Sequence, residues 1–239
     1  MRYVIVAATV LWSALICLLP APKIVTAAGE KQQPGKSQFE KDQGRGWRDL
    51  LKDERNRAVR GLGYWRRVPL PAGTELKKGN PWSYDEENHR IVCKGEGYLE
   101  ALLYDYRFGD GIFHVEWRLK KVSGDPKYNS GIFVRTSADA KRWHQAQVGN
   151  LNVGYLFGYM RPGAEKYSTK LDGPQRGNPA GEWNTYEITT KGKKITLWVN
   201  GYQTATKICE HNRGQIGLQA ENFEIEFKNL MWKYLSNEK

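Results

Sequence analysis

The sequence predicts an all-β fold, a two-sheet antiparallel sandwich or a barrel, over residues 65–236. Three observations predict it. From Trp65 onward, short apolar runs are separated by turn signals such as Asn80-Pro81 and Phe108-Gly109-Asp110-Gly111, a pattern of strands rather than helices. In Gly111–Lys120, Phe113, Val115, Trp117 and Leu119 alternate with His114, Glu116 and Arg118, and strict period two means a strand with one buried face. Asn200-Gly201 is the strongest short hairpin signal a sequence can carry. The nine Trp and thirteen Tyr suit strands, and they also suit stacking on pyranose rings.

The 239 residues allow one such domain with extensions. Residues 1–27 read as a secretory signal: Arg2, then the apolar run Val4–Leu19, then small residues at Val25-Thr26-Ala27. The run is short for a membrane-spanning helix. Export to the periplasm or the extracellular space is therefore expected, with no stable membrane insertion once the signal is cleaved. Residues 28–64 are charged and Gly-rich. Ala28–Arg45 reads as a flexible linker, and Gly46–Arg60 as a short amphipathic helix carrying Trp47, Leu50 and Leu51.

Within the β-domain, Arg90–Cys93 and Tyr98–Tyr104 are strands ahead of Gly111–Lys120. Asn129–Thr136 follows, with Ile132 and Val134 inside and Asn129, Gly131, Phe133 and Arg135 opposite. Arg142–Val148 puts His144, Ala146 and Val148 on one face, and Gln145 and Gln147 on the other. Arg161–Gly181 lacks apolar periodicity and reads as a long loop. Trp183–Thr190 and Lys194–Val199 form a hairpin, with Ile195, Leu197 and Val199 inward and Trp198 outward. Gln215–Ala220 separates Ile216 and Leu218 from Gln219, with Glu221 next on the Gln219 side. The last strand changes register, which places a bulge near Lys228-Asn229.

If the three strands around residues 111–148 are sheet neighbours, Glu116, Arg135 and Gln147 line one polar face and border one cleft, with Glu221 at its edge. That is what a sugar site needs: one carboxylate, planar donors and acceptors, and aromatic rings nearby. The plainer reading is an ordinary solvated sheet face, or a structural Glu116–Arg135 ion pair.

Formal net charge is +11, and +9 without Arg2 and Lys23 (11 − 2). A basic balance attracts anionic glycans or nucleic acid. In an exported chain with no zinc-ligand spacing and no Gly-rich phosphate loop, nucleic acid is not expected. Beyond the signal, two cysteines remain, Cys93 and Cys209. Export permits a bridge between them, and two separate buried thiols is the other reading.

Five segments resemble the 3-keto-disaccharide hydrolase domain family. They are Gly95–Leu99 running into Gly111–Arg118, Asn129–Arg135, His144–Gln147, Gly181–Asn184 with Trp198–Gly201, and Gly214–Glu221 followed by Phe227-Lys228-Asn229. Together they span about Trp65–Tyr234, and their order is more specific than any one of them. The resemblance implies a concanavalin A-like jelly roll. It also implies a chemistry: a ketone at C3 acidifies the C2 proton, a base removes it, and the C1 substituent leaves by elimination. An upstream sugar 3-dehydrogenase would supply the ketone. On this basis Glu116 is the expected base, Arg135 the clamp on the enolate and Glu221 a second carboxylate. Asn129, His114, His144, Gln145, Gln147 and Trp198 are expected substrate contacts. No cofactor or metal follows from the residues. At Gln145 many family members carry glutamate, so the chain reads either as an exported glycan-active hydrolase or lyase or as a non-catalytic carbohydrate-binding jelly roll.

Overall fold

A computed structural model describes residues 34–52, 62–124, 126–150 and 153–235. The first sheet runs from edge to edge as β13 (Tyr202–Ile208), β12 (Lys194–Val199), β11 (Asn184–Lys191), β6 (Gly111–Leu119), β15 (Ile225–Tyr234), β4 (Arg90–Cys93) and β3 (Trp82–Asp85). A two-residue strand, β1 (Arg48–Asp49), pairs with the far part of β15. The second sheet runs as β10 (Lys166–Ser168), β9 (Leu156–Tyr159), β8 (Trp143–Gly149), β7 (Asn129–Thr136), β14 (Gln215–Ala220), β5 (Glu100–Tyr104) and β2 (Trp65–Pro69). All these pairings are antiparallel. In chain order the chain passes from one sheet to the other at β1–β2, β2–β3, β4–β5, β5–β6, β6–β7, β10–β11, β13–β14 and β14–β15. The result is a jelly-roll sandwich.

Alternation places the core. Phe113, Val115, Trp117, Ile195, Leu197 and Val199 of the first sheet meet Ile132 and Val134 of the second, all eight essentially without solvent contact. Burying each contributes roughly 1.5–3 kcal/mol. A second, smaller apolar cluster lies on the outer face of the second sheet. There Val68, Ala101, Leu103 and Phe133 alternate with core-facing neighbours, and Ala140, Leu70 and Trp143 pack against them. β5 and β7 are therefore apolar on both faces, and this outer face is lined rather than solvated.

Asn200 and Gly201 take φ of 44° and 101°, the two left-handed residues that the β12–β13 turn requires. The expected bulge in β15 forms where the register shifts between Lys228 and Met231, with Asn229 at φ 50°. Arg161–Gly181 is less irregular than expected, because β10 pairs back on β9 within it.

The N-terminal segment departs from expectation. The helix is α1 (Gln38–Asp42), inside the stretch read as linker. Ser37 and Glu40 close a reciprocal capping box, and the Glu187 carboxylate accepts the backbone N–H groups of Gln38 (2.7 Å) and Phe39 (2.9 Å). Of the helix expected at Gly46–Arg60, residues 53–60 lie outside the described residues. Residues 48–49 form β1, and Leu50 and Leu51 are buried. The apolar spacing there records burial against the sheet edge, not helical period.

Candidate active site

Sheet membership decides which expected residues meet. β6 lies in the first sheet, while β7, β8 and β14 lie in the second. The outward residues of β6 and those of β8 and β14 thus face opposite sides of the molecule. The expectation that Glu116, Arg135 and Gln147 border one cleft is corrected on this ground.

Glu116 sits on the outer face of the first sheet in an ion cluster. Asn229 Nδ2 donates to it at 2.6 Å, and Lys228 Nζ lies 3.2 Å away. Burial pushes its carboxyl up, but His114, Asn229 and Lys228 outweigh this and hold it down at about 2. His114 is buried on the same face beneath the Phe39 ring, with Nδ1 3.1 Å from Glu187. Its Nε2 is 3.8 Å from Glu116, too far for a hydrogen bond. Burial lowers its basicity, and the two carboxylates more than offset that, leaving it raised. Trp198 is also on the first sheet, outward from β12. None of these three reaches the second sheet's outer face.

Arg135 is diverted by a bulge. Val134 and Arg135 together oppose Ile216 of β14, and Arg135 takes φ 53°. The residue is 2% exposed, and Nη2 donates to Asp110 Oδ1 (3.2 Å) and the Gly192 carbonyl (3.1 Å). It ties β7 to the ends of first-sheet strands. His144 faces the core opposite Val134, with Nδ1 2.8 Å from the Tyr167 hydroxyl. Burial and nearby cations push it down to about 3, so it stays neutral at any ordinary pH.

The remaining expected residues come together with others that were not expected. On the outer face of the second sheet, Gln145 and Gln147 of β8, Asn129 of β7, and Gln219 and Glu221 at the end of β14 surround Gly131. A Cβ at Gly131 would lie 1.8 Å from Gln145 Nε2, so the missing side chain is what lets the Gln145 amide lie across the sheet. The hydrogen bonds run in one direction. Gln145 Nε2 donates to Gln219 Oε1 (2.8 Å), and Gln219 Nε2 donates to Glu221 Oε1 (2.9 Å). On the other arm Gln145 Nε2 reaches Gln147 Oε1 (3.3 Å), and Gln147 Nε2 donates to Asn129 Oδ1 (2.7 Å). Asn129 also acts on Glu221, favouring its ionised form. Both arms start at Gln145; one ends on Glu221 and the other on Asn129.

This ring opens into a cleft of about 680 Å³. Phe133, Trp143, Phe157 and Tyr159 line one side, and Leu70, Pro71 and Leu99 the other. Trp143 is the hub of the aromatic side, edge-on to Phe133 (5.6 Å), Phe157 (5.3 Å) and Tyr159 (5.2 Å). Glu221 is the one carboxylate among the described lining residues, and Lys141 and Lys166 are the cations. Burial pushes Glu221 above the ordinary carboxylate value, and the bonds from Asn129 and Gln219 only partly offset this. Gln219, Trp143 and Phe133 were not singled out by sequence reasoning. The alternation that put Gln145 and Gln147 outward also points Trp143 that way, as Glu221 points Gln219.

A jelly roll with a polar ring, one carboxylate and an aromatic wall in a single cleft defines a glycan-related domain. The chain belongs to the 3-keto-alpha-glucoside-1,2-lyase-like domain family, whose model matches residues 41–233. Solved structures with the same fold include a carbohydrate-binding module from Bacillus subtilis, at 15% identity and a TM-score of 0.53, covering 70% of this chain and 93% of that one. Two putative glycosyl hydrolases from Parabacteroides distasonis also share it. The first has 14% identity and a TM-score of 0.53, covering 79% of this chain and 99% of that one. The second has 15% identity and a TM-score of 0.52, covering 79% and 100%. No curated protein sequence matches the chain.

Proposed function

We propose that this chain is an exported lyase-type enzyme acting on 3-keto-glycosides, with Glu221 as its base. The observation that carries the reading is the placement of Glu221: a carboxylate raised by burial, in a polar ring, in a cleft large enough for a sugar. A base works best when its pKa approaches the working pH, and Glu221 is shifted that way whereas Glu116 is shifted the opposite way. In the proposed reaction Glu221 takes the C2 proton of a 3-keto-glycoside. The electron pair forms the enolate of the C3 ketone, then a C1–C2 double bond as the C1–O bond breaks. The proton held by Glu221 goes to the leaving oxygen, and water adding across the double bond would complete a net hydrolysis. This route needs one carboxylate. Direct hydrolysis of an unoxidised glycoside uses two within about 5–10 Å, and Glu116 and Glu221 lie on the outer faces of opposite sheets. Amide N–H groups of the ring and the ammonium groups of Lys141 and Lys166 are the donors available to the developing oxyanion. The upstream sugar 3-dehydrogenase and export through residues 1–27 belong to the same proposal.

A second reading, a carbohydrate-binding jelly roll without catalysis, is favoured by the amide at Gln145. The test is to incubate the purified protein with a panel of 3-keto-glucosides, with and without divalent metals, alongside Glu221→Gln. The enzyme reading expects product release that falls by about two orders of magnitude or more in the variant. Saccharide binding with no turnover under any condition would establish the second reading.

A further inference from the structure

The two walls of the cleft differ in chemistry, and the strand register says which residues stand on either side of Glu221. β7 and β14 pair Ile132 with Leu218, and continuing that register sets Asn129 opposite Glu221. β14 and β5 pair Ala220 with Glu100, so the next pair sets Glu221 opposite Leu99. The Leu70 N–H then bonds the Leu99 carbonyl at 2.9 Å. Along one row of the sheet the side chains are therefore Asn129, Glu221, Leu99 and Leu70. Glu221 stands at a boundary, with the amides of β7 and β8 on one side and, among the described lining residues, the aliphatic groups of Leu70, Pro71 and Leu99 on the other. Leu99 is 53% exposed, and both leucines and Pro71 line the cleft.

We infer that the ligand is a glycoside whose aglycone is apolar, an aromatic or alkyl alcohol, seated on Leu99 and Leu70. The inference rests on the proposed function for the orientation of the sugar. The hydroxyls of the ring have partners only on the amide side. C1 adjoins C2, so a base at C2 also lies beside the glycosidic oxygen, and the substituent leaves toward the other side. A second sugar there would press hydroxyls against leucine side chains that offer no hydrogen bond, which costs free energy. A phenyl or alkyl group would instead exchange water for apolar contact. Specificity of this kind resides in the wall, separate from the base.

The experiment is calorimetric titration of the full chain with three unoxidised probes: methyl α-glucoside, benzyl α-glucoside and maltose. Benzyl α-glucoside should bind about tenfold tighter than either of the others, in keeping with burial of roughly half a phenyl ring. In Leu99→Ser the benzyl preference should shrink to about threefold or less, with methyl α-glucoside unchanged. Leu99 is at the surface, so the variant folds, and the unchanged methyl glucoside affinity verifies it. Leu70→Ser should act in the same direction. Maltose binding as tightly as the benzyl compound would overturn the inference, as would a preference that survives both substitutions. The two proposals fail separately. Turnover of 3-keto-disaccharides without a benzyl preference removes the apolar aglycone and leaves the lyase. A benzyl preference without turnover of any 3-keto-glucoside removes the lyase and leaves the wall as the specificity element of a binding site.

Discussion

Glu221 and Glu116 are both half-buried carboxylates on outward faces, and their neighbours set them apart. Amides surround Glu221, which carry no charge and cannot hold it ionised against burial. A lysine and a histidine flank Glu116. Activity that depends on Glu221 as a base should rise with pH through a pKa above 4.5, and Glu221→Gln should abolish that limb of the kcat/KM profile. Glu116→Gln should leave turnover near normal and lower stability instead. The folded-state value of about 2 lies below the ordinary 4.5. The stabilisation is therefore present above about pH 4.5 and lost as pH falls toward 2. Solvent screening of this partly exposed group reduces the full linkage value to roughly 2 kcal/mol, readable as a flattened acid limb in urea unfolding of the variant. Gln145 gives a sharper test. Its Nε2 faces three acceptors: the Ser130 carbonyl, Gln147 Oε1 and Gln219 Oε1. Gln145→Glu would set a carboxylate against all three, so the neighbouring amides must flip or the new group must hold a proton or a cation. The expected result is a further upward shift of the acidic limb, by about one unit. An unchanged profile would mean that the network does not govern the base. These contrasts were only half legible in the sequence. Alternation told correctly which way Glu116, Gln145, Gln147 and Gln219 point from their strands. It carries no information on which sheet a strand joins, because the partner of β7 is β14, about eighty residues later. Hence Glu116 was grouped with residues on the far side of the molecule.

At the scale of elements, β7 is the strand on which the site depends. Gly131 leaves the space that Gln145 fills, and the bulge at Arg135 turns a guanidinium away from the cleft and into the sandwich end. A straight strand would have kept Arg135 on the face of Phe133 and Gly131, which is where alternation placed it. A bulge is invisible to period two unless the hydrophobic register visibly slips, as it does at Lys228-Asn229 in β15. Gly131→Ala should displace the Gln145 amide, since a Cβ there collides with three of its side-chain atoms. The overpacking costs about 1–3 kcal/mol, seen as a lower midpoint in denaturant. Saccharide affinity should fall with it, and a variant of normal affinity would show that Gln145 is not needed across the sheet. The helix α1 was missed for a different reason. Five residues cannot display a helical period, and the one signal available was the capping pattern Ser37-Gln38-Phe39-Glu40.

For the whole molecule, the two-sheet architecture and its core were legible because they need only the face of each strand, and every expected core residue is buried. Long-range pairing was not legible, and the cysteines show the consequence. Cys93 ends β4 and Cys209 follows β13, both in the first sheet. Five strand spacings separate β4 from β13 in the order of that sheet, roughly 24 Å at the usual interval. A disulfide needs Cα atoms within about 7 Å, so the fold forbids the bridge that export would have permitted. Both thiols are free and buried. Cys209 Sγ donates to the carbonyls of Lys193 and His211, and burial pushes the Cys93 thiol up to about 12. The thiolate is the reactive form, so near pH 8 neither cysteine should be alkylated while the protein is folded. In denaturant without reductant, both Cys93 and Cys209 should be alkylated, each found by mass spectrometry of its peptide. Protection of both residues until a reductant is added would contradict the strand order itself, because this order holds the two cysteines five strands apart.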